Sequence, residues 1–198
     1  TITFQPDQTI FQKLEFDDRR ILDHLRYQAY LTKGLRIEFV DARGAQPISY
    51  GFCFEGGLQS FIRYLAGDRK PLHDRAFYVE KSADDMDVEV TLLYTDDVES
   101  EEMSFANNIY TPDGGMHLTG LRSALTRTLN DYARAEGYLK ESEDNLTGDD
   151  VREGLVAAVS IKLREIQFEG QTKARLGNPG ARTAVEAVVA EGLKEFLG

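Results

Sequence analysis

The run Leu155-Val156-Ala157-Ala158-Val159-Ser160-Ile161-Lys162-Leu163 constrains this chain most. It is far shorter than the ~20 apolar residues that cross a bilayer, and a short apolar run of this kind reads as a buried strand. The chain must therefore build a core around it. A very different segment follows, Phe168-Glu169-Gly170-Gln171-Thr172-Lys173-Ala174-Arg175-Leu176-Gly177-Asn178-Pro179, before a helical run that begins near Ala181. Here an amide, a hydroxyl and an ammonium stand in three consecutive residues, Gln171, Thr172 and Lys173, after a conformationally permissive Gly170. Such donors suit an anion, with lysine as a compact charge on a mobile stem. Read from the residues alone, a solvated surface loop is the simpler account of them.

A chain of 198 residues can bury a good core and reads as one domain, with room for a fragment of a second. At 41% hydrophobic and 29% charged it belongs with globular and not disordered sequences. Thr1-Ile2-Thr3-Phe4 has neither an initiator methionine nor a signal-peptide pattern, so a piece cut from a longer protein is expected. The single Cys53 excludes an internal disulfide and fits a reducing compartment. His24, His73 and His117 are too scattered for a metal-site spacing. The net charge of −11 is uneven: Glu80 to Glu102 carries ten acids and one base, and Glu141 to Glu153 six acids and one base. The rest of the chain is left at +3, so a basic face remains open to it.

In chain order, Thr1 to Phe4 alternates like the end of a strand. Asp17 and Asp18 can cap a helix over Arg19 to Lys33, with Gly34 as its stop. Leu35 to Val40 and Ile48 to Phe54 read as a hairpin, and Leu58 to Leu65 as a short helix closed near Gly67. Ala76 to Lys81 and Val88 to Tyr94 flank an acidic turn at Asp84-Asp85, and Met103 to Tyr110 reads as one further strand. Leu118, Leu121, Leu125, Leu129 and Tyr132 give a long amphipathic helix from Met116 to Glu136, ended by Gly137. Asn145 to Gly148 is a break, Thr147 and Asp150 have capping-box spacing, and Thr183 to Leu197 is a last helix. Segregated antiparallel strands and helices predict an α+β domain.

The candidate chemistry is sparse. Asp149, Asp150 and Glu153 are possible metal carboxylates, but helix capping explains them. Gly56-Gly57 and Gly114-Gly115 lack the spacing of nucleotide loops and read as tight turns. His117 reads as a cap or a packed residue and not as a base. On the long helix Arg127 and Arg134 lie seven apart and share a face, while Arg122 sits about 140° round from Arg127. Those arginines suit either a solvated helix face or sequence-independent contact with DNA phosphates, and spacing does not decide between them.

Several stretches carry a resemblance that covers essentially the whole chain. They are Tyr30-Leu31-Thr32-Lys33-Gly34-Leu35, Phe54-Glu55-Gly56-Gly57, Phe105-Ala106-Asn107-Asn108-Ile109, Pro112-Asp113-Gly114-Gly115-Met116-His117-Leu118-Thr119-Gly120, Thr126-Arg127-Thr128-Leu129-Asn130, Gly148 to Leu155 and Gln171-Thr172-Lys173. In these the chain resembles the transducer region of the B subunits of bacterial DNA gyrases, ATP-dependent type II DNA topoisomerases. Met116 and Leu121 stand where many gyrases have Thr and Phe. The B subunit of topoisomerase IV is less similar around Thr126 to Asn130.

The resemblance implies an α+β, ribosomal-protein domain-2-like transducer fold over residues 17–198, a mostly antiparallel sheet packed by helices. Residues 1–16 would be a linker and a remnant strand of a preceding GHKL ATPase domain. It implies that Gln171 and Lys173 contact the γ-phosphate of ATP in that neighbouring domain, with Lys173 neutralising charge on the transferring phosphoryl group. Arg122 matches an arginine facing the transported DNA duplex, and Arg127 and Arg134 are assigned the same duty here by extension. ATP with Mg2+ is the implied cofactor, bound mainly by the ATPase domain. DNA, the gyrase A subunit, and a B-subunit homodimer are the implied partners, in the cytoplasm and away from membranes. This piece alone is expected neither to hydrolyse ATP nor to cleave DNA. The alternatives are the same domain of a topoisomerase IV B subunit, and a non-catalytic interaction or nucleic-acid-binding module.

Overall fold

The computed structural model describes residues 1–198, and its organising element is the apolar run already singled out. Leu155–Lys162 forms β7, the middle strand of a five-stranded sheet ordered β3-β4-β7-β5-β6. Successive side chains of a strand point to opposite faces, and here both faces are covered. Leu155, Ala157, Val159 and Ile161 enter one core with Val88, Val90 and Leu92, while Val156 and Ala158 enter another with Leu93 and Phe105. A strand buried on both sides has no polar face to show, which is why its sequence runs apolar without alternating.

The other sheet strands are β3 (Phe77–Ala83), β4 (Met86–Tyr94), β5 (Glu101–Ala106) and β6 (Ile109–Tyr110). Asp84 and Asp85 join β3 to β4 with φ of 51° and 59°, the left-handed pair that suits a two-residue hairpin. One sequence expectation changes here, and the mostly antiparallel sheet has one exception. Met103 to Tyr110 is not one strand: Asn107 and Asn108, at φ 47° and 62°, fold it into β5 and β6. The sheet is also mixed, because β5 runs parallel to β7 while the other pairings are antiparallel. Asn107 has a second task, since its side-chain amide accepts from Leu163 N and donates to Leu163 O, each at 2.9 Å. That pins the chain where it leaves β7 for the polar segment.

Two helices cover the larger core, α3 (Met116–Ala135) and α5 (Pro179–Leu197), packed side by side. Gly120 lets them approach: a Cβ there would lie 2.6 Å from the Arg182 carbonyl oxygen. Helix α5 starts earlier than its apolar pattern indicated, because Pro179 can open a helix whose first N–H groups lack partners anyway. The opposite face is covered by α1 (Asp18–Leu31) and α2 (Leu58–Ala66), with the separate β1 (Ile37–Asp41)–β2 (Ile48–Phe52) hairpin beside them. Asp17 caps α1 by accepting from Arg20 N at 3.2 Å. Tyr30 of α1 stacks on Phe54 at 3.6 Å, joining two of the sequence stretches noted above. The Thr147–Asp150 capping box is present and opens a short α4 (Gly148–Arg152). Thr1 to Phe4 forms no strand, having no neighbouring strand to bond to in this chain. The outcome is an α+β fold in which no helix is long and apolar enough to cross a membrane.

Candidate functional site

The segment after β7 folds back on itself as a loop with a narrow, tied base. Phe168 and Leu176 form an antiparallel bridge, the Glu169 amide donates to the Arg175 carbonyl at 3.0 Å, and the Gly177 amide to the Gln167 carbonyl at 2.8 Å. Leu176 is fully buried and also pairs with the turn before α3. Its amide donates to the Gly114 carbonyl at 3.1 Å, and its carbonyl accepts from Met116 N at 3.0 Å. Ala174 O accepts from Asp113 N at 2.9 Å. Gly115 permits this contact, because a Cβ there would stand 2.4 Å from Leu176 O. The Pro112–Gly115 turn, which the sequence showed only as a tight turn, is therefore the seat of the loop.

The tip differs from the base. Gln171, Thr172 and Lys173 are exposed, and the Lys173 amide donates to the Gly170 carbonyl at 3.1 Å. Lys173 holds φ at +56°, a left-handed conformation that costs a non-glycine residue about 1–2 kcal/mol. The one acid within the loop is Glu169, and its carboxylate pairs with Arg175, with Nε 3.0 Å from Oε1. Arg175 Nη1 also donates to the Asp113 carbonyl at 2.9 Å. Lys173 itself makes no ion pair and no side-chain hydrogen bond, while the arginine two residues on bonds both Glu169 and the Asp113 carbonyl. The tip thus presents an uncommitted cation beside an amide and a hydroxyl. No cluster of three or more His, Cys, Asp and Glu side chains is arranged to hold a metal ion.

The three arginines of α3 part company. Arg122 and Arg127 line one open cleft with Ser123, Asn130, Asn145 and Arg152. Arg122 is gripped by Glu102 of β5, with Nε 3.0 and 3.1 Å from its two oxygens and Nη2 2.6 Å from Oε2. The Glu102 side chain is only 6% exposed, so this pair also satisfies a nearly buried carboxylate. Those hydrogen bonds hold the Arg122 pKa above its ordinary value, against the opposing effect of burial. Arg127 is exposed and pairs with no acid. Arg134 lies outside the cleft lining, and its guanidinium ties down the segment after α3. It donates to Asn145 Oδ1 at 2.8 and 2.6 Å, to Lys140 O at 3.0 Å and to Glu143 O at 2.9 Å. Sharing a helix face with Arg127 therefore does not give Arg134 the same surroundings.

Sequence reasoning passed over two residues of this cleft. Asn130 accepts from Leu146 N at 2.8 Å and donates to Leu146 O at 3.0 Å, fixing the loop that leads into α4. Arg152, on α4, adds a third guanidinium and pairs with the Asp149 carboxylate at 2.5 Å, a carboxylate 94% exposed. Only the recurrence of Arg122, Thr126, Asn130 and Arg134 every four residues along α3 hinted at the first. His117, fully buried, is packed and not catalytic in position. Its Nε2 lies 3.2 Å from Thr111 Oγ1, its Nδ1 has no partner, and burial lowers its pKa to about 4.

Comparison with known proteins follows the same outline. The DNA gyrase B family model matches residues 57–198. The chain is 46% identical over 197 residues to the DNA gyrase B subunit of Clostridium acetobutylicum, covering 99% of this chain and 31% of that protein. It is 44% identical over 198 residues to the same subunit of Haloferax volcanii gyrase, covering 100% of this chain and 31% of that protein. Among solved structures, the 43K ATPase domain of Thermus thermophilus gyrase B in complex with an aminocoumarin matches with a TM-score of 0.83 and 42% identity, over 97% of this chain and 51% of that one. The topoisomerase IV ATP-binding domain of Francisella tularensis shares the fold, with a TM-score of 0.78 at 23% identity over 97% of this chain and 51% of its own. The chain thus spans 31% of the length of these curated relatives.

Proposed function

Because the chain belongs to the DNA gyrase B family, we propose that it is the transducer of an ATP-dependent type II DNA topoisomerase, coupling nucleotide turnover to passage of one duplex through another. The observation that carries this reading is the unpaired Lys173 at the exposed tip of a loop whose base is tied by backbone hydrogen bonds. Gln171 and Lys173 reach the γ-phosphate of an ATP molecule held by the preceding folded unit of the parent protein. ATP, with Mg2+ held by that other unit, supplies the phosphoryl group whose transfer to water drives the cycle.

This chain's contribution is electrostatic. The Lys173 ammonium sits beside the terminal phosphoryl oxygens and offsets the charge that shifts as the bond to the leaving group breaks, and Gln171 donates a hydrogen bond alongside. Neither contact exists once the terminal phosphoryl has gone, so the loop distinguishes triphosphate from diphosphate and biases the arrangement of the two folded units. The partners this implies are DNA, the A subunit of gyrase, and a second copy of the B subunit. Arg122 and Arg127 face the transported duplex from the α3 cleft; Arg134 acts on the loop it holds. Gyrase is favoured over topoisomerase IV by the 42% identity to a gyrase structure against 23% to a topoisomerase IV one.

The test is Lys173→Ala in the full-length B subunit, measured in the complex with its gyrase A counterpart. ATP turnover should fall about a hundredfold, the scale of removing one transition-state donor, and ATP-dependent supercoiling should disappear while nucleotide binding largely remains. Turnover equal to the wild type removes Lys173 from catalysis. The 198-residue chain alone should show no hydrolysis.

A further inference from the structure

The charges around Lys173 are unevenly matched. From Phe168 to Asn178 the loop holds one carboxylate, Glu169, and two cations, Lys173 and Arg175. Glu169 faces Arg175 across the narrow base, where its amide meets the Arg175 carbonyl at 3.0 Å, and it stands four residues from Lys173 in a loop that doubles back. Both cations share the loop with this single carboxylate. Arg175 holds it, with Nε 3.0 Å from Oε1, while Nη1 donates to the Asp113 carbonyl at 2.9 Å. A guanidinium presents five donors in a rigid fork, so it can bridge an acceptor on the loop and another on the turn beneath at once. An ammonium on a flexible stem has no such geometric advantage and stays unpaired.

We propose that Arg175 is a positioning residue for Lys173: by occupying Glu169, it keeps the Lys173 ammonium free for a phosphate presented from outside this chain. Carboxylate and phosphate are alternative partners for one ammonium, and Arg175 withdraws the first. Without Arg175, Glu169 becomes the intramolecular competitor and draws Lys173 back toward the base of the loop. The inference rests on the catalytic reading of Lys173 given above and adds to it the group that keeps that side chain available.

The experiment uses the full-length gyrase complex, both of its proteins present, with ATP. Arg175→Met should lower ATP turnover about threefold, the order by which an exposed ion pair biases a flexible side chain. Adding Glu169→Gln to Arg175→Met should restore most of the loss, although the bond to the Asp113 carbonyl is still missing. Arg175→Lys, which leaves a cation on Glu169, should stay near the wild-type rate. Wild-type turnover in Arg175→Met overturns the proposal. So does a double variant no faster than the single one, since Arg175 would then act only by holding the loop to Asp113. Rescue by Asp113→Asn in place of Glu169→Gln overturns the assignment of Glu169. Lys173→Ala with unimpaired turnover is a separate failure: it sinks the catalytic reading itself, whatever the Arg175 variants do.

Discussion

Replacing Gly115 by alanine is the most direct probe of how the loop is held. A Cβ at Gly115 would lie 2.4 Å from Leu176 O, 2.5 Å from its N and 2.8 Å from its Cα. All three are backbone atoms, so no side-chain rotation relieves the clash, and Leu176 must move away bodily. That parts two hydrogen bonds, Leu176 N to Gly114 O at 3.1 Å and Met116 N to Leu176 O at 3.0 Å, worth about 1 kcal/mol each. Gly115 also stands at φ 132° and ψ −163°, a region almost reserved for glycine, where alanine costs a further ~1–3 kcal/mol. The sum is about 3–5 kcal/mol, a large share of a typical domain's stability. Alanine at neighbouring Gly114 meets only a rotatable Leu118 methyl at 2.9 Å, and at φ 69° it should cost nearer 1–2 kcal/mol. Urea unfolding of both variants, with hydrogen exchange at the Leu176 and Met116 amides, gives the magnitude and the location. A Gly115→Ala variant that loses less than Gly114→Ala, with both amides still protected, would refute the reasoning.

Two further perturbations test the burial of charge and of a neutral imidazole. His117 is depressed by burial from 6.5 to about 4, so between those values the unfolded chain binds a proton that the folded chain refuses. Stability must fall as pH drops through that window, by about 3 kcal/mol in all, and His117→Gln should remove that contribution from the unfolding free energy measured in urea between pH 6.5 and pH 4. Arg122→Ala leaves Glu102, with its side chain 6% exposed, facing no cation. The variant should lose about 2 kcal/mol in urea unfolding, and Glu102→Gln added to it should recover part of the loss; an unchanged midpoint in the single variant would show that the pair carries no folding role.

The fold was legible wherever one periodicity prevailed. Leu155 to Leu163 predicted a buried strand and became the strand at the centre of the sheet, and the capping box at Thr147 formed with Asp150 as its acid. The misreadings came where backbone conformation overrides pattern. Asn107 and Asn108 sit inside an apolar stretch and divide it by adopting positive φ, which asparagine tolerates better than most residues. The parallel β5–β7 pairing depends on residues about 55 apart and leaves no local mark, much as loop closure over that distance leaves none in composition. At the candidate site the polarity of Gln171 to Lys173 was visible in the sequence, but the availability of Lys173 was not. That depends on where Arg175 places its guanidinium, and on a distant glycine, Gly115, that lets Leu176 come close.

The same contacts bear on how an event at the loop could reach the rest of the fold. Leu176 bonds to Gly114 in the turn before α3 and to Met116, the first residue of that helix, and its own side chain lies wholly in the core that α3 and α5 share. Moving the loop relative to α3 would break both bonds and open a cavity around a buried leucine, a change costing a few kcal/mol. Bending at the exposed Gly170–Lys173 tip breaks only the Lys173 N to Gly170 O bond. A pull on Lys173 therefore meets a soft tip first and then a stiff joint, beyond which loop and helix move together. Helix α3 carries Arg122 and Arg127 in its cleft about two to three turns further on, so whatever displaces the joint displaces them as well. In this geometry the exposed Lys173 at one end and the cleft of Arg122 and Arg127 at the other are joined through Leu176 and helix α3.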